Sequence, residues 1–169
     1  MEVAIREAVP ADAKQIIALV QKMSAEPDID FALAPDEPYH TIEAEQKILS
    51  EFAVSENSIY LVAEAGDRII GFLNCKGGKR KATRHVTLLS ISLDEAWRNQ
   101  GVGSRLMAHA MEWARNTGLI HRIELLVFAR NEMAIHLYQK FGFVMECRHA
   151  RAIFRKGEYL DDLMMALLM

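Results

Sequence analysis

The segment Arg98-Asn99-Gln100-Gly101-Val102-Gly103-Ser104 combines a cation, two closely spaced glycines and the start of an apolar-periodic helix. Where such a helix begins, free backbone N–H groups and the positive end of the helix dipole converge on one spot, which suits an anion and above all a phosphate. Gly101 and Gly103 let the backbone approach a phosphate that a β-carbon would hold off, and Arg98 adds positive charge beside it. Two other phosphate motifs do not fit. A dinucleotide fingerprint needs a third glycine three residues after Gly103, where Leu106 stands, and a Walker loop needs a Gly-Lys-Ser/Thr triplet that the sequence lacks. On the glycines alone, a strand-to-helix turn that uses glycine for packing fits equally well.

The surrounding periodicities say what positions this segment. Val3 to Val9 alternates and reads as a strand; Pro10 suits the first turn of a helix whose apolar stripe is Ile16, Ile17, Leu19, Val20 and Met23. Glu26 to Pro38 reads as a loop. Thr41 is placed to cap a second helix, with Glu43 and Glu45 suited to its dipole. Strands over Ser58 to Ala65 and Arg68 to Asn74 flank a turn at Gly66-Asp67, and His85 to Leu93 alternates as a third strand of the meander. A helix from about Gly101 turns Leu106, Met107, Ala110, Met111 and Ala114 inward and ends at Gly118. Arg122 to Phe128 is a strand. Asn131 caps a short helix closed by Gly142, and strands Phe143 to Phe154 and Glu158 to Leu168 meet at Lys156-Gly157. The order β-α-α-β-β-β-α-β-α-β-β predicts a mixed sheet, with an antiparallel meander first and a β-α-β crossover around the glycine segment.

Arg98-x-x-Gly101-x-Gly103 is followed, one helix and one strand later, by Asn131-x-x-Ala134-x-x-Leu137-Tyr138-x-Lys140-x-Gly142-Phe143. Together the two blocks resemble the GCN5-related N-acetyltransferase (GNAT) superfamily. The tail, with Gly157-Glu158-Tyr159 and Asp161, is similar to its ribosomal-protein and amino-acid acetylating branch. The resemblance implies an α/β (α+β) fold: a mixed, mostly antiparallel seven-stranded sheet flanked by helices, its fourth and fifth strands splayed. It implies one domain over residues 1–169, acetyl-CoA as co-substrate, and a small-molecule or peptide amine as acceptor. The implied acceptors are an amino acid, a polyamine, an aminoglycoside or a protein N-terminal amine. A homodimer is expected from the resemblance as well.

Carried over residue by residue, the resemblance gives Asn99, Gln100, Gly101, Val102, Gly103 and Ser104 to the pyrophosphate, with Arg98 beside them. Ile91 and Leu93 would offer main-chain hydrogen bonds to the pantetheine, and one N–H would stabilise the oxyanion. Asn131 would bond a pantetheine amide, cap its helix, or both. Tyr138 would protonate the departing thiolate; otherwise it is a core aromatic. Leu126 stands where many members have a polar residue. For the general base the residues leave Ser90 or Ser92 through water, Glu64, or the acids between Glu26 and Glu37. The acids Glu26, Asp28, Asp30, Asp36 and Glu37 fall where a substrate lid lies and would suit a cationic acceptor, or are simply solvated. Lys76, Lys79, Arg80, Lys81 and Arg84 read as a solvated hairpin tip or an attractor for the CoA 3′-phosphate. His85 reads as a solvent-edge residue.

Composition excludes several classes. A net charge of −3 over 169 residues argues against general nucleic-acid binding. No run is long and apolar enough for a membrane span, and the first residues do not resemble a signal peptide. Cys75 and Cys147 lie in no Cys-x-x-Cys pair, and the six His show no ligand spacing, so no metal site is expected. These features read as a cytoplasmic protein. The rival to an enzyme is a catalytically idle CoA-binding sensor or partner-binding module, because a cofactor motif alone does not guarantee chemistry.

Overall fold

The computed structural model describes residues 2–27 and 29–169. Among the described residues, seven strands form one sheet and four helices flank it. They are β1 (Val3–Glu7), α1 (Ala13–Ser24), α2 (Ile42–Ala53), β2 (Ile59–Ala65), β3 (Arg68–Gly77), β4 (Val86–Leu93), α3 (Val102–Thr117), β5 (Arg122–Phe128), α4 (Glu132–Lys140), β6 (Val144–Arg155) and β7 (Glu158–Leu168). A short 3₁₀ turn, Pro10–Asp12, leads into α1, and another, Glu95–Trp97, follows β4. Among the described residues no helix is long and apolar enough to cross a membrane.

Local signals set most boundaries. The Thr41 hydroxyl accepts from Ala44 N–H at the start of α2, and the Asn131 carbonyl oxygen accepts from Ala134 N–H at the start of α4. Gly118 closes α3 at φ +62°, a backbone shape that costs glycine nothing. β3 runs three residues past the expected Asn74, because Lys76 and Gly77 still pair with Leu88 and Thr87 of β4.

The strand order is β1-β2-β3-β4-β5-β7-β6, with every pairing antiparallel except β4 to β5. One face packs on α3 and α4 through Leu73, Leu106, Met107, Met111, Ile123, Leu125 and Met165, and the other packs on α1 and α2 through Ile16, Val20, Leu49, Val62 and Phe72. Leu106 is fully buried, so truncating it to Ala removes about 2–5 kcal/mol of stability. Lys22 Nζ reaches the buried Asp94 carboxylate at 2.6 Å and ties α1 to the end of β4.

The parallel pair is short. Only Val86–Leu88 pair with Arg122–Glu124, so beyond Leu88 the two strands part. This splay, together with the crossover helix α3 that follows β4, is what the sheet contributes to the site.

Candidate active site

A cavity of about 950 Å³ passes between the parted strands. Its α3/α4 side is lined by Gly101, Gly103, Ser104, Asn131, Ala134, Leu137 and Tyr138. Its other side, towards α1, is lined by Met23, Ile29, Phe31, Leu88, Ser90, Ser92, Leu126, Phe128 and Arg130.

Main-chain groups dominate the first half. Asp94 N–H donates to Ile70 O, which fixes the alternation of β4 against β3. The N–H and C=O of Ile91 and Leu93 therefore turn away from β3 towards the gap, where no strand meets them. After β4 the chain adopts left-handed backbone at Asn99 (φ +60°) and Gly101 (φ +80°). Alternating handedness of this kind points successive N–H groups into one concavity and makes an anion nest. The first intrahelical bond of α3 goes from Arg105 N–H to Gly101 O, so the N–H groups of Val102, Gly103 and Ser104 have no partner inside the helix. A β-carbon on Gly101 would meet no atom within 4 Å; one on Gly103 would touch Leu93 and Leu137 at 3.4 Å. Backbone shape, rather than crowding by protein atoms, thus requires glycine at 101.

Arg98 differs from expectation. Its guanidinium donates to Leu93 O at 2.9 and 3.1 Å and forms an ion pair with Glu26 at 2.7 Å. It lines the cavity, yet its charge is already matched by Glu26, which leaves the N–H groups of Val102, Gly103 and Ser104 as the donors there without an intrahelical partner. Leu93 can then offer a ligand its N–H but not its carbonyl. The exposed Gln100 side chain donates to Ala96 O at 2.6 Å and does not line the cavity.

Tyr138 lies on the inner face of α4 with its ring centroid 6.0 Å from that of Phe143. It is 6% exposed, and burial pushes its phenol up to about 12. Asn131 lines the cavity while capping α4, which leaves its amide N–H groups free of the capping bond. Leu126 is half exposed and forms apolar floor in the second half.

The candidates for a base separate cleanly. Ser90 and Ser92 line the cavity. Glu64 does not: Arg6 holds it at 2.9 Å, where β1 pairs with β2, and that hydrogen bond keeps its carboxyl below the usual range. The lid segment reaches the cavity through Ile29, Asp30, Phe31 and Ala32; among its described acids Glu26, Asp30 and Glu37 are engaged, and Asp36 does not line the cavity. Glu26 pairs with Arg98, Asp30 pairs with Arg130 at 2.7 Å, and Glu37 accepts from Ala34 N–H. Asp28 lies outside the described residues. The basic hairpin adjoins the start of β4, roughly 23 Å along the strand from the glycine loop, which removes it from any phosphate there. Sequence reasoning missed Arg130 and the apolar lining of Met23, Ile29, Phe31, Leu88 and Phe128. Arg130 sits directly before the recognised Asn131 block, and that adjacency was the available signal.

Residues 22–143 match the Acetyltransferase (GNAT) family. The chain is 38% identical over 106 residues to L-amino acid N-acetyltransferase AaaT of Escherichia coli (strain K12), covering 63% of this chain and 65% of that protein. It is 27% identical over 82 residues to N-alpha-acetyltransferase 50 of Danio rerio, covering 48% and 49%. The chain thus spans less than two thirds of the length of these curated relatives. Among solved structures, an acetyltransferase of the GNAT family from Streptococcus pneumoniae superposes with a TM-score of 0.94 at 36% identity over 99% of both chains. A phosphinothricin acetyltransferase from Sinorhizobium meliloti, solved in complex with AcCoA, shares the fold with a TM-score of 0.85 at 20% identity, covering 100% of this chain and 89% of that one. With the splayed strands, the anion nest and these likenesses in agreement, the chain belongs to the Acetyltransferase (GNAT) family.

Proposed function

We propose that this protein transfers an acetyl group from acetyl-CoA to a primary amine, which attacks the thioester directly. The observation that carries the proposal is the continuous cavity: an anion nest on one side of the parted strands opens to an amine-sized chamber on the other. In this reading the nest from Asn99 to Ser104 holds the pyrophosphate. The unpaired edge of β4 at Ile91 and Leu93 holds the pantetheine and offers an N–H to the developing oxyanion. Ser90 and Ser92, on the acceptor side, carry the amine's proton away through water.

Tyr138 donates towards the departing sulfur. A phenol raised to about 12 stays protonated across the working pH range, so it is always available as a donor. Full transfer to a thiolate whose conjugate acid lies near 8.5 is uphill, and the collapse of the tetrahedral intermediate must drive it.

The acceptor half favours an amine with an apolar body. Ile29, Phe31, Leu88, Leu126 and Phe128 form its walls, while Glu26 and Asp30 are spent on arginines. An apolar amino acid therefore ranks above a polyamine or an aminoglycoside, and L-amino acids are the acceptors named for the Escherichia coli relative. The test is acetyl-CoA turnover over a panel of amines, read as free thiol. Apolar amino acids should outpace spermidine. Tight CoA binding with no thiol release for any amine would instead support an idle sensor.

A further inference from the structure

On β6 and β7, outside this cavity, three side chains form a relay. The Cys147 thiol lies 3.1 Å from His149 Nε2, and His149 Nδ1 lies 2.6 Å from Asp162 Oδ1. Asp162 is buried at 7% exposure, whereas Cys147 is open to solvent. The imidazole bridges its two partners through opposite ring nitrogens, so the three do not converge on a point as metal ligands would. With the Nδ1 proton given to Asp162, Nε2 is left as the acceptor facing the thiol.

An irregularity in β6 creates this arrangement. Met145 pairs with Met165, but Cys147 pairs with Met164 and His149 with Asp162. Without the extra residue at Glu146, Cys147 would oppose Leu163 and point towards the α4 side. The bulge turns both Cys147 and His149 onto the acceptor face of the sheet, and bulges of this kind commonly re-aim side chains beside functional sites. On that face Leu126 of the cavity floor pairs with Met164, and Met164 pairs with Cys147. Two inter-strand spacings, roughly 10 Å, separate the thiol from the cavity floor. The neighbouring charges are otherwise engaged. Glu146 holds Arg122, and Arg148 is paired with Asp161, which also accepts from Arg151 N–H.

We propose that Cys147, served by His149 and Asp162, is a nucleophilic thiol that accepts an acyl group from an acyl thioester. His149 Nε2 takes the thiol proton as the Cys147 sulfur attacks the thioester carbonyl carbon. A new C–S bond forms, the bond to the carrier sulfur breaks, and the carrier thiolate leaves with the proton that His149 held. One thioester is exchanged for another, with no change of oxidation state. The reaction shares its acyl donor class with the amine transferase reading but none of its residues.

The probe is S-acetyl-N-acetylcysteamine, a thioester without the nucleotide, so the outcome does not depend on the anion nest. After incubation at neutral pH, peptide mass mapping should find one hydroxylamine-labile acetyl group on Cys147 and none on the buried Cys75. His149→Gln should slow the labelling about tenfold or more, because the thiolate is the reacting form. Asp162→Asn should slow it in the same direction. Iodoacetamide alkylation of Cys147 should fall in parallel. Retained amine acetylation in each variant would show that the fold is intact. Equal labelling of the parent and His149→Gln would reduce Cys147 to an ordinary exposed thiol, and no acetyl on Cys147 would overturn the proposal outright. A parent protein that is labelled at Cys147 but turns over no amine would instead count against the transferase reading alone.

Discussion

On the α3/α4 side of the parted strands the cavity is lined by main-chain N–H groups, left-handed turns and the start of a helix; on the α1 side it is lined by side chains from four separate segments. A backbone-built surface depends on a few residues that permit a shape, and its ligand can stay the same while much of the sequence changes. A side-chain surface changes whenever its residues do. The first half therefore fits a constant cofactor, and the second fits whichever amine its apolar walls select.

That contrast is open to direct attack. The largest effect should come from the boundary between the halves: Tyr138→Phe keeps the ring's packing but removes the donor. It should lower kcat by about 10²-fold, with KM and calorimetric CoA affinity little changed. Full kcat in that variant would make water the proton source.

In the backbone-built half, Gly101→Val must adopt φ +80° with a β-branched residue. It should cost about 1–2 kcal/mol in urea unfolding as well as weakening CoA. Gly101→Asn, which tolerates left-handed backbone, should restore much of the stability and so separate shape from contact. In the side-chain half, Leu126→Asp should raise KM for an apolar amine about tenfold while sparing CoA affinity and stability, since Leu126 is half exposed. If CoA affinity fell as well, the halves would not be independent.

A smaller effect concerns the ion pair that joins the halves. Burial pushes the Asp94 carboxyl up, but Lys22, the Ala96 N–H and the Lys22 and Arg68 charges outweigh it and hold it below the usual range. Its stabilisation is therefore complete above about pH 4 and is lost as the pH falls further, through the folded value. Asp94→Asn should be less stable than the parent at pH 7, and the gap in urea midpoints should narrow as the pH falls below about 4. A gap that stayed constant would assign the effect to packing. The smallest effect is a null one: Arg80→Gln with Lys81→Gln should leave CoA affinity unchanged, because that hairpin sits at the far end of β4.

Much of the fold was legible because its signals are local. Thr41 and Asn131 cap helices where expected, Gly118 ends α3, and β5 and β7 run over the residues expected for them. The insertion of β7 between β5 and β6 was not legible, since it depends on pairing across the whole chain. Neither was the bulge at Glu146, which no periodicity reveals. The glycine loop could be read because its motif encodes backbone shape. The partners of its neighbours could not: Arg98 meets Glu26 across 72 positions, and Arg130 meets Asp30 across 100. Those pairings match the charges of Glu26 and Asp30, which the sequence alone left open to a cationic acceptor.

Arg98 grips the last carbonyl of β4 with the same guanidinium that grips Glu26, at the start of the lid segment. This is a mechanical linkage: anything that displaces Leu93 must pull on the chain that roofs the amine chamber. A cofactor lying along β4 would set the tension of that roof before an amine arrives. The kinetic prediction is an ordered sequence with acetyl-CoA first. Arg98→Ala should loosen it towards random order, a change visible as altered product-inhibition patterns even where kcat is preserved.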